Sequence, residues 1–473
     1  MTTLREVRLE GADQAHELPS PKAPMAVGRE LSRDRYTHAE DALTLRHWRG
    51  GWWQWRTARW VEVEQRAMQA VVYRFTEHAV YQEYDKRQNV FVEKPWAPNR
   101  YKVVDLLDAL AAITLLPEDV TMPSWLDGSG YDGLLVSTAN GLLDVGRLEL
   151  LEHTPQFWNG TSVPFAYDPN APAPDRWLAF LDELWPDDTD SPQALQEWFG
   201  YVISGRLDLH KILLLVGPTR AGKGVTARIL GALVGDENVA GPTLSSLNGD
   251  FGLAPLLGKT LAVVSDARLN GRGAHTVVER LLSISGEDSL TVNRKYREQW
   301  TGKLPTRIML CSNELPQLGD ASAAIAGRFV PLMLSRSWIG REDHALELAL
   351  RQELPGILNW ALEGLKRLAA QDGFTRPPGA DDAMVTLQDL ASPVAAFVRD
   401  RCVRGPEHEA TVDFLYAAWR SWAEDNGHIK SSKQIFGRDL RAAVPGVKVA
   451  RTGGHHSSER ERIYQGVGLR EHE

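Results

Sequence analysis

The stretch that most constrains this chain is Gly217-Pro-Thr-Arg-Ala-Gly222-Lys223, directly behind the apolar run Ile212 to Val216. A short aliphatic run feeding a Gly-x-x-x-x-Gly-Lys loop and then a helical pattern is the layout of a phosphate-binding P-loop. Backbone N–H groups of such a loop and of the next helical turn converge on one spot, where the helix dipole also favours an anion. Lys223 adds a full positive charge for the outer phosphates of a nucleotide. Apolar residues Val225, Ile229, Leu230 and Leu233 predict a helix over 223–234, stopped by Gly235. The candidate nucleotide-binding set is Gly217, Pro218, Thr219, Arg220, Ala221, Gly222, Lys223, Gly224 and Val225. One residue breaks the pattern. The residue after the lysine is ordinarily Ser or Thr, whose hydroxyl ligates Mg²⁺; here it is Gly224. Thr226 lies about 200° around the helix axis from the lysine's immediate neighbour and points away. A water in the missing ligand place is expected, with nucleotide binding kept and metal affinity and turnover lowered.

With 473 residues the chain has room for two to four domains. No apolar run approaches the length of a bilayer span, so no membrane partner is expected. Cys311 and Cys402 are the only cysteines and lie far apart. That argues against a disulfide framework and a cysteine-rich zinc site, and fits a reducing cytosol. The net charge of −9 means that nucleic acid must meet a local basic surface. Residues 1–35 mix charge, Pro and Gly without the apolar core of a signal peptide and read as a disordered tail. Trp48, Trp52, Trp53, Trp55 and Trp60 alternate around Gly50-Gly51 and predict a β-hairpin with one aromatic face. Such rings can stack on bases, but packing into a small core is their commoner fate.

Residues 36–205 read as an α+β region, with helices over 61–84, 101–116, 177–185 and 193–204 and short strands at 133–136 and 142–145. Residues 206–375 alternate strands and loops as a nucleotide-binding α/β core should. Leu261 to Val264 is an apolar strand ending at Asp266, Arg307 to Cys311 another ending at Asn313, and Phe329 to Leu334 a third. Ligand groups belong at the carboxyl ends of such strands. A helical segment follows over 342–370, then a linker at 376–390. In 391–473, Ser392-Pro393 opens one helix, Thr411 a second and Ser432 a third. Val447 to Val449, the Gly453-Gly454-His455-His456 turn and Arg462 to Tyr464 complete the order of a winged helix. Between residues 428 and 470 nine cations face three acids. Lys433, Arg438 and Arg441 are therefore candidate DNA-phosphate contacts, the alternative being a solvated basic face.

Lys223, Asp266, Asn313 and Arg328 then stand in order. Asp266 can hold Mg²⁺ through water and help polarise an attacking water. Asn313 can orient that water. Arg328, in Ala326-Gly-Arg-Phe329, suits an arginine finger reaching a neighbour's nucleotide. Singly, the last three read equally well as a strand-end cap, a turn residue and a surface charge; the ordered set lifts them.

On these residues the chain resembles the superfamily 3 helicases, specifically the phage, plasmid and poxvirus primase–helicase family. The resemblance spans roughly residues 40 to 470. It is carried by the P-loop, Ser265-Asp266, Gly286-Glu-Asp288 through Arg294-Lys-Tyr296, Ser312-Asn-Glu-Leu-Pro316 and Gly327-Arg-Phe329. Upstream it adds Asn140-Gly-Leu-Leu-Asp144, His153-Thr-Pro155 and Tyr167-Asp-Pro169, and downstream Ser392-Pro-Val394, Leu415-Tyr416 and Trp419. It implies an α/β fold: a P-loop AAA+-like ATPase core, an α+β N-terminal domain and a C-terminal winged helix. It also implies ATP and Mg²⁺, and a homo-oligomeric ring, usually hexameric, moving along single-stranded or forked DNA in replication. A hairpin before Asn313 would carry Arg294, Lys295 and Tyr296 near its tip, Lys295 matching the family's DNA-gripping lysine. Ala267 stands where many relatives carry a second acid. The short stretch ahead of the tryptophans leaves no room for a primase domain, so a separately encoded primase is expected. Two other readings remain open: a DNA-binding initiator or clamp with a vestigial ATPase, and a P-loop kinase of a small metabolite.

Overall fold

A computed structural model describes residues 16–38, 41–128, 131–267, 274–295, 299–316, 324–371, 373–428, 430–451 and 461–470. The chain forms two compact units, Met1–Tyr167 and Asp168–Glu473. The fold is mixed α/β, with one sheet of parallel strands in the second unit.

The first unit runs α1 (Pro24–Arg35), β1 (Leu45–Trp48), β2 (Gly51–Trp55), β3 (Trp60–Val63), α2 (Gln65–Thr76), β4 (Val80–Asp85), β5 (Val90–Pro95), α3 (Arg100–Ile113), β6 (Ser124–Trp125), β7 (Leu135–Thr138), β8 (Gly141–Asp144), β9 (Glu149–Leu151) and β10 (Phe157–Trp158). The expected disordered tail is corrected over 24–35. Pro24 opens α1, and Val27 and Leu31, four apart, are buried on its inner face. A Cβ on Gly28 would lie 2.8 Å from Ile113 Cδ1, so the glycine lets α1 approach α3. The polar average of the segment hid this one apolar stripe.

The tryptophan-rich stretch forms three antiparallel strands, β1–β2–β3, rather than two. Trp52 and Trp53 point to opposite faces, as the strand period of two requires. Trp53 joins Trp48, Trp60 and Trp158 in one cluster with ring centroids 4.8–5.7 Å apart. Trp52 joins Val72 and Leu106 on the other side, its Nε1 donating to Gln65 Oε1 at 2.6 Å. These rings are core. The helix expected over 61–84 is also corrected. Val61 and Val63 pair with Gln54 and Trp52 on β2, and residues 80–85 pair with β5, leaving only 65–76 helical.

The second unit contains α4 (Asp175–Leu184), α5 (Asp190–Ile203), β11 (Ile212–Val216), α6 (Lys223–Val234), β12 (Val239–Ala240), α7 (Leu244–Leu247), β13 (Leu261–Val264), α8 (Ala274–Ser285), β14 (Leu290–Val292), β15 (Trp300–Gly302), β16 (Arg307–Ser312), β17 (Phe329–Met333), α9 (Leu346–Gln352), α10 (Leu354–Gln371), α11 (Ala380–Ala391), α12 (Pro393–Arg401), β18 (Cys402–Thr411), α13 (Val412–Asp425), α14 (Lys433–Ala443), β19 (Lys448–Arg451) and β20 (Arg462–Leu469). Its main sheet has the order β12-β13-β16-β11-β17, every neighbouring pair parallel. β11 is buried along its whole length, the reason its sequence is continuous Ile-Leu-Leu-Leu-Val.

Three boundaries differ from expectation. α4 and α5 belong to the second unit, not to a region ending at 205. Gly200 and Gly364 let α5 and α10 pack backbone to backbone: a Cβ at Gly364 would lie 2.4 Å from the Gln196 backbone. The stretch 376–390, expected as a linker, contains most of α11, whose Leu387 is buried in the core beneath the main sheet. β18 was not anticipated; it forms the antiparallel sheet β18-β20-β19 with the two last strands. α12, α13 and α14 pack on that sheet around Phe397, Trp419, Phe436 and Tyr464. The predicted 453–456 turn lies outside the described residues.

Candidate functional site

The loop after β11 is bent by its own backbone. Arg220 and Gly222 adopt left-handed φ values of 62° and 90°. A Cβ at Gly217 would lie 2.5 Å from Leu334 Cβ and O, so no other residue fits there. Gly217 N–H donates to Ser312 O at 3.1 Å and Leu334 N–H to Val216 O at 2.7 Å, fixing the loop's root to β16 and β17. Gly222 caps α6, which begins at Lys223 as expected, so the first-turn N–H groups and the positive end of the helix dipole face the loop. The chain after β17 straps the loop from outside: Ser337 Oγ donates to Thr219 O at 2.8 Å, and Trp338 N–H to Arg220 O at 3.0 Å. Arg220 also pairs with Glu342 at 3.6 Å.

Lys223 Nζ donates to Pro218 O at 2.8 Å, to Gly217 O, and to Asn313 Oδ1 at 3.1 Å. Burial lowers its pKa from the ordinary amine value, while the Cys311 thiol and the Asp266 carboxylate pull it back up. Asp266 follows β13 and Asn313 follows β16, and β13, β16 and β11 are successive neighbours. Their carboxyl ends therefore bring Lys223, Asp266 and Asn313 together. Ala267 N–H donates to Cys311 O at 2.9 Å, holding the Asp266 turn against β16. Ala267 itself is buried in the core, so no second acid reaches the site from there.

Arg328 lies elsewhere. It precedes β17, whose Phe329 pairs with Ile212 at the start of β11, whereas the loop follows Val216, paired with Met333. The five-residue strand puts about 16 Å between the two ends. Arg328 Nη1 donates to His210 O at 3.5 Å, beside Lys211, whose Nζ donates to Gly327 O at 2.6 Å. Burial first, then the charges of Arg328 and Arg376, lower the Lys211 pKa, so the amino ends of the strands form a cationic corner.

Gly224 is exposed, and beyond its chain neighbours a Cβ there would meet one side chain, Arg228, with Nη1 at 3.0 Å. Thr226 is buried and donates to Gly222 O at 3.2 Å, turned from the loop mouth. Sequence reasoning missed Arg228, Glu342 and the Ser337–Trp338 strap. The four-residue spacing from Gly224 was the one available signal for Arg228. Among the described residues no group of three or more His, Cys, Asp or Glu could hold a metal. Mg²⁺ is commonly held by one or two carboxylates together with substrate phosphates, and Asp266 fits that mode.

β14 and β15 form the expected hairpin before Asn313, rooted in the core by Val292 and Trp300. Lys295 near its tip is exposed and Arg294 half-buried; Tyr296 lies outside the described residues. On α14, Lys433, Arg438 and Arg441 are exposed. Lys433 pairs with Asp413, and Arg438 Nε with Asp439 at 2.9 Å. Gln434, four residues before Arg438, shares that face. Among the described residues no helix is long and apolar enough to cross a membrane.

Comparison with known proteins finds three family matches along the chain. Residues 29–186 match the family described as D5 N terminal like, residues 215–328 a family of unknown function (DUF5906), and residues 391–453 the Poxvirus D5 protein-like family. The first and last of these suggest a replication-related primase or helicase function. These two matches support a D5-like primase–helicase relationship to proteins of phages and poxviruses. Among solved structures, the apo C-terminal region of NrS-1 is similar at 13% identity and a TM-score of 0.49, covering 94% of this chain and 100% of that one. Its A form is similar at 11% identity and a TM-score of 0.45, covering 89% of this chain and 97% of that one.

Proposed function

We propose that the chain is an ATP-dependent DNA helicase of superfamily 3, acting in phage, prophage or plasmid replication in the cytoplasm of a bacterial host. The observation that carries this reading is the division of the four residues between opposite ends of one sheet. Lys223, Asp266 and Asn313 share the carboxyl ends; Arg328 stands at the amino ends, beyond reach of its own loop. A nucleotide in the loop can meet Arg328 only from a second copy. Head-to-tail contacts of that kind close into rings when the rotation allows, and a hexamer encircling single-stranded or forked DNA is the form proposed. Under this reading the second unit's main sheet is an AAA+-like core. The order α12, β18, α13, α14, β19, β20 is a winged helix, with α14 offering Lys433, Arg438 and Arg441 to DNA phosphates.

Residues 217–225 cradle the phosphates with backbone N–H groups, and Lys223 leaves its loop carbonyls for the outer phosphates. Asn313 orients the attacking water and Asp266 polarises it. Mg²⁺, held by Asp266 and the nucleotide, would neutralise phosphate charge. The neighbour's Arg328 meets the charge that develops on the transferred group. Arg294 and Lys295, which follow β14, engage the strand inside the ring, and Tyr296 is proposed to join them; a separate primase supplies primers. Lys223→Ala should abolish ATP binding, DNA-stimulated ATP hydrolysis and strand separation; full unwinding by that variant would overturn the proposal. Gly224 and the buried Ala267 favour a second reading, a DNA-binding initiator or clamp with a vestigial ATPase. ATP turnover that fails to rise on adding single-stranded DNA would select it.

A further inference from the structure

We propose that Arg228 reaches the nucleotide's phosphates from within the same chain and takes over the task of the hydroxyl missing at Gly224. The proposal rests on the nucleotide reading above. A Cβ at Gly224 would meet the Arg228 guanidinium, with Nη1 at 3.0 Å and Cζ at 3.9 Å, and, beyond its chain neighbours Lys223 and Val225, no other side chain within 4 Å. The usual Ser or Thr hydroxyl would stand one bond beyond that Cβ, holding a cation against the phosphates. Here a cation already occupies the space. The cause is local geometry. Arg228 is four residues on, on the same face of α6, and helical side chains lean toward the helix N-terminus. A glycine at 224 leaves room for that lean.

The guanidinium is also suited to the task. It stays charged, presents a planar fork that matches phosphate oxygens, and is half exposed here. Its Nε donates to Glu347 Oε2 at 2.6 Å. Glu347 Oε1 in turn accepts from Arg351 Nε at 3.3 Å, and Arg351 pairs with Asp236 at 3.3 Å. Glu347 thus holds Arg228 by one edge beside the loop mouth, and a second arginine keeps Glu347 in place. The arrangement exchanges part of the metal's role for a fixed protein charge. Nucleotide binding should therefore depend less on Mg²⁺ than in a P-loop with the hydroxyl.

The competing account is a plain ion pair tying α6 to α9, and binding measurements separate the two. ATP binding to the full chain is measured by calorimetry with Mg²⁺ and with a chelator. Arg228→Ala should weaken ATP binding in chelator by about tenfold, the loss of one charge-assisted contact. Glu347→Gln breaks the same ion pair but leaves the guanidinium beside the loop, so its affinity should equal or exceed that of the unaltered chain. Adding Gly224→Ser to Arg228→Ala should restore affinity only when Mg²⁺ is present. Arg228→Gln, which keeps a polar side chain on this exposed face, replaces the alanine variant if that one fails to fold. Unchanged affinity of Arg228→Ala or Arg228→Gln in chelator overturns the proposal, as does equal weakening by Glu347→Gln. Lys223→Ala should bind under neither condition; if it binds normally, the nucleotide reading itself fails, whatever Arg228 does.

Discussion

The carboxylate of Asp144 accepts from the backbone N–H groups of Gly146 and Arg147 at 2.8 and 2.9 Å, from Arg147 Nη1 at 2.5 Å and from the Tyr131 hydroxyl. Burial pushes its pKa up, but these hydrogen bonds outweigh burial and hold it at about 2. A depressed folded-state pKa contributes stability above the unfolded value, about 3.9, and loses it as pH falls through the folded value. Asp144→Asn should therefore cost about 2 kcal/mol at neutral pH, with the difference from the unaltered chain closing between about pH 4 and pH 2. Urea unfolding followed by tryptophan fluorescence across that range checks it; a difference independent of pH would contradict the assignment. At this scale the sequence was legible wherever chemistry is tied to a fixed backbone offset. Gly224 was visible as the missing hydroxyl, and Thr226 as turned away. Arg228 was not, because its role depends on a rotamer leaning back over a turn.

Elements were legible where they carry their own signals. Ser392, Thr411 and Ser432 each cap a helix by accepting from the N–H three residues on, and the helix over 223–234 begins and ends as its glycines indicate. Strands that need distant partners were not legible. β18 pairs with a strand about sixty residues later, and nothing within 402–411 announces it. Residues 80–85 were absorbed into a helix although their partner is local, Asp85 pairing with Val90 only five residues on. The α5–α10 contact is another long-range feature. Buried Glu197 accepts from Arg367 Nε at 2.6 Å, from Gln371 Nε2 at 2.9 Å and from Thr375 at 2.7 Å through both N–H and hydroxyl, clasping α5 to the end of α10 and the chain beyond it. Gly364→Ala would drive a methyl into the Gln196 backbone and force the helices apart. Overpacking of this kind costs about 1–3 kcal/mol, read as a melting temperature several degrees lower. An unchanged melting temperature would show that α5 and α10 do not pack this closely.

The whole molecule matters because, under the proposed function, one sheet carries two half-sites at opposite ends. The strand order puts β11 between β16 and β17, so Asn313 and Lys223 meet at one end while Arg328 and Lys211 gather at the other. No reading of motifs in order could reveal that separation; it follows from the parallel register of β17 against β11. Its direct consequence is that a copy lacking Lys223 still offers its arginine, and a copy lacking Arg328 still offers its loop. The decisive measurement is DNA-stimulated ATP hydrolysis by Lys223→Ala chains, by Arg328→Ala chains, and by the two mixed in equal amounts. Each variant alone should be inactive, and the mixture should recover a measurable fraction of the unaltered rate through seams that join an intact loop to an intact arginine. A mixture as inactive as its parts, or an Arg328→Ala chain that hydrolyses ATP normally by itself, would contradict the shared site.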